Sequence, residues 1–212
     1  MPSDSEPVVG LAELSPATLA ALQAVLQERA QAQEAAGGDP FLSEDWGKSQ
    51  FIYDPATAQT LAGEVAQRAG GGRVACVSCP TLFRVLRERG IQCQLLEYDE
   101  KYACRGDFTL YDYNAPLLVP PELHGAFAVV VADPPYLAEE CLRKTAQTVR
   151  LLAAPGAALL VLTGAVMEAV AADSLGLRPV AWRPQHASKL GNEFRCYTSY
   201  EAPALGGWER TE

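Results

Sequence analysis

Along the chain, short runs of apolar residues alternate with segments in which apolar positions recur every three or four residues. "RVACV" (73–77), "QCQLLEY" (92–98), "DFTLYDY" (107–113), "AFAVVVA" (126–132) and "ALLVLT" (158–163) are near-continuous apolar runs, the pattern of strands buried on both faces. "PTLFRVLRER", closed by Gly90, "LAEECLRKTAQTVRLL" and "AVMEAVAADSL" carry the helical period. "LRPVAW" and "EFRCYTSYE" follow as two longer strands with no helix between them. The order predicts five βα units and a terminal strand pair. That is an α/β fold: a doubly wound, mostly parallel seven-stranded sheet with an antiparallel C-terminal strand.

Upstream, residues 1–14 read as a disordered tail. Ser15-Pro16 supplies an N-cap and a first-turn proline, and Leu19, Leu22, Val25 and Leu26 form a helical stripe ending before Gly37-Gly38. Residues 15–53 are read as this helix plus a lid or linker segment. Asp54-Pro55 starts a second helix that runs to Gly70-Gly71-Gly72. The main domain is expected over 54–204, with a short tail over 205–212.

Charge narrows the class of partner. The 212 residues carry a formal net charge of −9, whereas affinity for duplex nucleic acid comes largely from phosphate neutralisation by Lys and Arg. The densest basic spot is Arg84, Arg87 and Arg89 on one short helix. An acidic surface suits a basic protein partner better than DNA. The N-terminus has no signal-peptide pattern and no apolar run reaches the ~18 residues of a membrane span, so a cytoplasmic protein is expected. Its six cysteines would then be reduced. Cys76 and Cys79 have CxxC spacing, but there is no second pair and both His124 and His186 are remote in sequence; Cys76 is placed in a strand, Cys79 in the loop after it, and no metal is expected.

The chemistry concentrates at strand ends. "AFAVVVADPPYLAEE" (126–140) runs a buried strand into Asp133-Pro134-Pro135-Tyr136, where two prolines deny both helix and sheet a continuation. Asp99 follows strand two and Asp112 ends strand three, and in a doubly wound sheet these ends converge on one crevice. An acid after strand two is placed to accept hydrogen bonds from ribose hydroxyls; one after strand three can accept from an adenine amino group. Asp133 and the Pro134 carbonyl are two acceptors on a stiff turn, able to grip an NH₂ group and aim its lone pair outward. No Ser-His or Cys-His pairing is in reach. The set suits an amine nucleophile positioned against an electrophile carried by a cofactor, and S-adenosylmethionine fits an adenosine crevice beside an amine acceptor.

Asp133-Pro134-Pro135-Tyr136 resembles the (D/N)PP(Y/F/W) motif of amino-group methyltransferases. "SQFIYDPATAQTLA" (49–62), "RVACVSCPTLF" (73–83), "EYDEKYA" (97–103), "YDYNAP" (111–116), "ADPPYLAEECLRKTAQTV" (132–149), "LLVLTGAVME" (159–168) and "NEFRCYTSYE" (192–201) together resemble the lysine methyltransferases of translation elongation factor 1-alpha, formerly labelled adenine-specific DNA methyltransferases. The resemblance spans roughly residues 15–201 and implies a Rossmann-like class I S-adenosylmethionine-dependent methyltransferase fold. It also implies a lysine of elongation factor 1-alpha as target.

Position by position, the resemblance makes Asp133, Pro134, Pro135 and Tyr136 the catalytic motif, Asp99 the ribose acid with Glu97 as rival, and Asp112, with Tyr113 and Asn114, the adenine side. Ser78, Cys79 and Pro80 take the place of a glycine-rich cofactor loop without its G-x-G. Gln50 and Phe51 also fall on the cofactor side, and Ile52 replaces the Trp of the family's "SQFWY". Tyr136 and Phe194 are candidate walls of the substrate pocket. The competing reading is an adenine-specific DNA or RNA N6-methyltransferase, which would use the same motif on a flipped base. The net charge and the lack of room for a target-recognition domain argue against it.

Overall fold

The computed structural model describes residues 52–105, 107–187 and 193–209, without the side chains of Cys104 and Arg105. The expected tail over 1–14, the helix after Ser15, Gln50 and Phe51 lie outside the described residues.

Helix α1 (Pro55–Ala69) begins as its sequence dictates. Asp54 Oδ1 accepts from the Thr57 N–H at 2.6 Å, Pro55 occupies the first turn, and Gly70 closes the helix with φ +54°. It buries Leu61, Ala62 and Val65. Then follow β1 (Val74–Val77), α2 (Pro80–Glu88), β2 (Cys93–Glu97), β3 (Phe108–Leu110), β4 (Phe127–Ala132), α3 (Glu139–Leu152), β5 (Ala153–Gly164), α4 (Glu168–Leu175), β6 (Arg178–Pro179) and β7 (Phe194–Thr198).

These strands form one seven-stranded sheet in the order β3-β2-β1-β4-β5-β7-β6. Every pairing among β1 to β5 is parallel, and β7 runs antiparallel to both neighbours. Successive residues of a central strand feed opposite cores. Val129 and Val131 pack with Leu61, Val65, Leu82 and Leu86 of α1 and α2; Val130 and Ala132 pack with Leu142, Val149 and Leu152 of α3 and with Ala171 of α4. The chain leaves β1 outward to β2 and β3, then returns to β4 on the other side of β1. That reversal opens a crevice beyond the carboxyl ends of β1 and β4.

The expected five βα units are corrected to fewer. Between β2 and β3 there is a 3₁₀ turn (Glu100–Arg105), and between β3 and β4 another (Pro121–Leu123), in place of α-helices. The first link is too short for a helix; Pro116, Pro120 and Pro121 deny donors to the second. Strand three, expected over 107–113, keeps only Phe108–Leu110, because Asp112 turns the chain by accepting the Asn114 N–H at 2.8 Å. "LRPVAW" is a strand for two residues only: Val180 still donates its N–H to Cys196 O of β7 at 3.0 Å, but its bridge partner is Trp208. Among the described residues no helix is long and apolar enough to cross a membrane.

Candidate active site

Two turns meet at the crevice. After β1, Ser78 takes φ +55°, a left-handed conformation unusual for a residue with a β-carbon, while its N–H donates to Leu96 O at 2.9 Å. Cys79 then caps α2 without a side-chain bond, its buried thiol 3.8 Å from Val131 O, and Pro80 opens the helix. Burial pushes the Cys79 thiol well above its ordinary range. Cys79 is therefore a core residue whose backbone, with that of Ser78, borders the crevice; Cys76 lies in β1 as expected. After β4, the Asp133 N–H donates to Val77 O at 3.0 Å, which locks one turn to the other.

Asp133 is half-buried, and burial pushes its carboxyl up to about 7; the Tyr53 hydroxyl pulls against that shift and the nearby Glu97 charge adds to it. Tyr53 is buried, and its hydroxyl donates to Asp133 Oδ2. Pro134 is buried, whereas Tyr136 and Leu137 project at 43% and 38% exposure. Tyr113 meets Tyr136 edge-on, ring centroids 5.9 Å apart. The motif is thus a rigid acceptor pair with an exposed aromatic beside it.

The two acids at the end of β2 differ in their surroundings. Glu97 closes the strand, 4% exposed, with Oε1 accepting the N–H groups of Tyr98 at 2.8 Å and Asp99 at 3.3 Å. Its charge reaches both Asp133 and Cys79, so it belongs to the crevice. Asp99 instead holds the 3₁₀ turn: Oδ1 accepts the Lys101 N–H at 3.2 Å and Oδ2 lies 3.5 Å from Lys101 Nζ. Asp112 is exposed at its own turn. Asn114 beside it accepts from Lys144 of α3 at 3.1 Å, and Lys144 also pairs with Glu140 at 2.6 Å.

Sequence reasoning missed Tyr53 and His186. Tyr53 stands one residue before the α1 cap, and it pairs with His186 as an isolated antiparallel bridge. Flanking bonds fix the two segments: Asp54 N–H to Gln185 O at 3.0 Å, Ala187 N–H to Ile52 O at 2.8 Å, and Gln185 N–H to Thr57 Oγ1 at 2.9 Å. The His186 ring lies 5.3 Å from that of Tyr53 and 4.7 Å, edge-on, from that of Phe194. Phe194 pairs with Gly164 at the end of β5 and packs against the core. The only signal for Tyr53 was its place in the "SQFIY" stretch; nothing local pointed to His186.

The residues fit an adenosyl cofactor: a buried carboxylate at the end of β2, a left-handed turn at Ser78 after β1, and the exposed Tyr136 ring beside Tyr113. Among the described residues no serine or cysteine is hydrogen-bonded to a histidine or carboxylate base at these turns, so the arrangement suits binding and orienting.

Comparison with known proteins agrees. Residues 44–202 match the family described as probable N6-adenine methyltransferase. The chain is 44% identical to EEF1A lysine methyltransferase 1 of Mus musculus, over 90% of this chain and 92% of that one, and 42% identical to its Homo sapiens counterpart with the same coverage. It is 36% identical to the protein-lysine N-methyltransferase M142.8 of Caenorhabditis elegans, over 94% and 97%. Among solved structures, a TehB-like SAM-dependent methyltransferase from Corynebacterium glutamicum covers 84% of this chain and 97% of its own, with a TM-score of 0.51 and 16% identity, a likeness of fold.

Proposed function

The chain belongs to the family of EEF1A lysine methyltransferases, and from that premise we propose that it transfers a methyl group from S-adenosylmethionine to a lysine of translation elongation factor 1-alpha in the cytoplasm. The observation that carries the reading is the intact Asp133-Pro134-Pro135-Tyr136 turn at the end of β4, its carboxylate held by a buried tyrosine.

S-adenosylmethionine, when bound, supplies an electrophilic methyl group on a sulfonium. Glu97 is the better-placed of the two β2 acids to hold its ribose, since Asp99 is committed to the Lys101 turn. Asp112, Tyr113 and Asn114 border the adenine side. The backbone of Ser78 and Cys79 lines the approach to the cofactor, and Gln50 and Phe51 complete that set on the strength of the resemblance.

A lysine side chain has a reference pKa of ~10.4, so removing its proton at pH 7.4 costs about 4 kcal/mol before any methyl moves. An ordinary carboxylate would favour the cation and oppose that step. Asp133 differs, because burial makes it a weaker acid than usual: its carboxyl sits at about 7. It can orient the neutral amine, with the Pro134 carbonyl as second acceptor, and as a stronger base than a solvated aspartate it narrows the gap to the lysine amine across which the proton must leave. Tyr136 and Phe194 wall the alkyl stem of the target lysine.

An adenine N6-methyltransferase would use the same acceptor pair, and the matched family carries that description. The net charge of −9 and the lysine-directed names of the relatives favour protein. The deciding experiment incubates the purified chain and labelled S-adenosylmethionine with elongation factor 1-alpha, duplex DNA and RNA in parallel. Label in a lysine of the factor alone is expected. Label in adenine alone would overturn the reading.

A further inference from the structure

We propose that Tyr53 is a positioning residue for methyl transfer: by donating its hydroxyl to Asp133 Oδ2 it occupies one carboxylate oxygen and leaves Oδ1 as the carboxylate's acceptor for the substrate amine, beside the Pro134 carbonyl. The proposal rests on the methyltransferase reading and deepens it. A carboxylate with both oxygens open can rotate about its χ2 bond and accept an amine in several directions. One oxygen fixed from behind restricts that freedom, and a misplacement near 1 Å can cost about 10²-fold in rate.

Three observations carry the assignment. The bond joins residues 80 apart in sequence, from the segment before α1 to the turn after β4, so no local turn geometry requires it. The donor is itself immobilised: Tyr53 is 3% exposed, bridged by backbone to His186 and in tilted contact with its ring at 5.3 Å, which in turn meets Phe194 at 4.7 Å. The acceptor is the carboxylate of the motif rather than a surface group. The groups facing Asp133 are Tyr53, Glu97 from β2 and Cys79 after β1, and His186 stands behind Tyr53. Glu97 raises the Asp133 carboxyl and the Tyr53 bond lowers it. Tyr53 and Cys79 are both pushed well above their ordinary ranges, so both stay neutral near pH 7.

The test uses the full chain. Tyr53→Phe keeps the ring and its contacts and deletes the hydroxyl. Expected are a 10- to 100-fold fall in kcat and KM for the protein substrate and Kd for S-adenosylmethionine within about threefold. The acidic limb of the kcat profile should also move to higher pH. Asp133→Asn removes the carboxylate that the hydroxyl orients, and in that background Tyr53→Phe should lower the residual kcat by clearly less than in the wild type, because the two residues act through one interaction. Carbon-13 NMR of labelled aspartate reads the Asp133 titration without substrate and should move up in Tyr53→Phe. If that variant fails to fold, 3-fluorotyrosine at position 53, a stronger donor of nearly the same size, should move the titration down. Unchanged kcat, an unmoved titration, or equal losses in both backgrounds would overturn the proposal. A wild-type chain inactive on protein lysines, with the NMR shift present, would instead sink the functional reading and leave the Tyr53–Asp133 coupling standing.

Discussion

Leu137 Cδ2 lies 2.8 Å from where a β-carbon on Gly164 would stand, so the residue after the Asp133–Tyr136 turn is seated against the bare α-carbon at the end of β5. Gly164 has φ −66°, a conformation open to any residue; its lack of a side chain is required by contact alone. Gly164→Ala should displace Leu137, whose flexible end can yield, and shift the motif by a few tenths of an ångström. The expected result is a several-fold fall in kcat with Kd for S-adenosylmethionine unchanged, and a larger fall for Gly164→Val. Full turnover in Gly164→Val, in steady-state assays, would show that the seat does not set the motif's position.

Asp133 should cost the protein stability where it serves the chemistry. Its carboxyl moves from 3.8 to about 7 on folding, so protonation favours the folded state: this contribution is full below pH ~4 and is lost as pH rises through about 7. At ~1.36 kcal/mol per pH unit the ceiling is about 4 kcal/mol, and water reaching the half-buried side chain reduces it to about 1–2 kcal/mol. Asp133→Asn should therefore melt about 2–6 °C above wild type at pH 8.5 and level with it at pH 4. Asp133→Ala should abolish turnover. Thermal scans across pH check the first claim; an Asn variant less stable at pH 8.5 than at pH 4, relative to wild type, would contradict it.

The acids at the end of β2 separate by what each already holds. Glu97→Ala should weaken S-adenosylmethionine by roughly 1–3 kcal/mol, the scale of a lost hydrogen bond to a charged group. Asp99→Ala should act mainly on the Glu100–Arg105 turn, with a smaller loss of affinity. Calorimetric titration of both variants decides; a loss confined to Asp99→Ala would return the ribose to that residue.

The sheet was legible because β1, β4 and β5 are buried on both faces and their sequences say so; "VACV", "FAVVVA" and "LLVL" leave no polar side. The Asp133 turn was legible because two prolines after a buried run admit little else. Failures came where tertiary contact decides. The β2–β3 and β3–β4 links carry no helical period, yet counting repeated units supplied helices there. Glu97 and Asp99 are two residues apart, and their partners rather than their spacing separate them: Lys101 for Asp99, the Tyr98 and Asp99 N–H groups for Glu97. Tyr53 and His186 meet from segments more than a hundred residues apart, a pairing no local pattern encodes.

Ser78 shows how the turn after β1 manages without a glycine. It adopts φ +55° although a β-carbon disfavours that region by about 1–2 kcal/mol. Ser78→Gly should be neutral or stabilising, by up to about 1 kcal/mol after the added freedom of the unfolded chain is counted. Ser78→Val should destabilise and weaken cofactor binding, since a β-branched residue resists the left-handed turn. Denaturant titration of the two variants tests the pair; a Val variant as stable as wild type would deny the strain.

Partner choice exposes the charge argument most directly. With a net charge of −9, encounter with a basic protein should be steered electrostatically, and kcat/KM should fall as salt rises. Screening over ~8 Å at physiological ionic strength makes the fall modest. Salt alone does not discriminate, because a nucleic-acid enzyme would be salt-sensitive too. Direct affinity does. Phosphate neutralisation supplies nearly all non-specific DNA binding, and two half-buried arginines are already paired: Arg183 and Arg195 share Glu193 and Glu209, with Arg195 also reaching Glu168. Fluorescence anisotropy at physiological salt should show no DNA binding tighter than ~10⁻⁴ M, the weak end of non-specific affinity. Micromolar binding, with methyl transfer to adenine and none to elongation factor 1-alpha, would assign the Asp133 turn to a flipped base instead of a lysine.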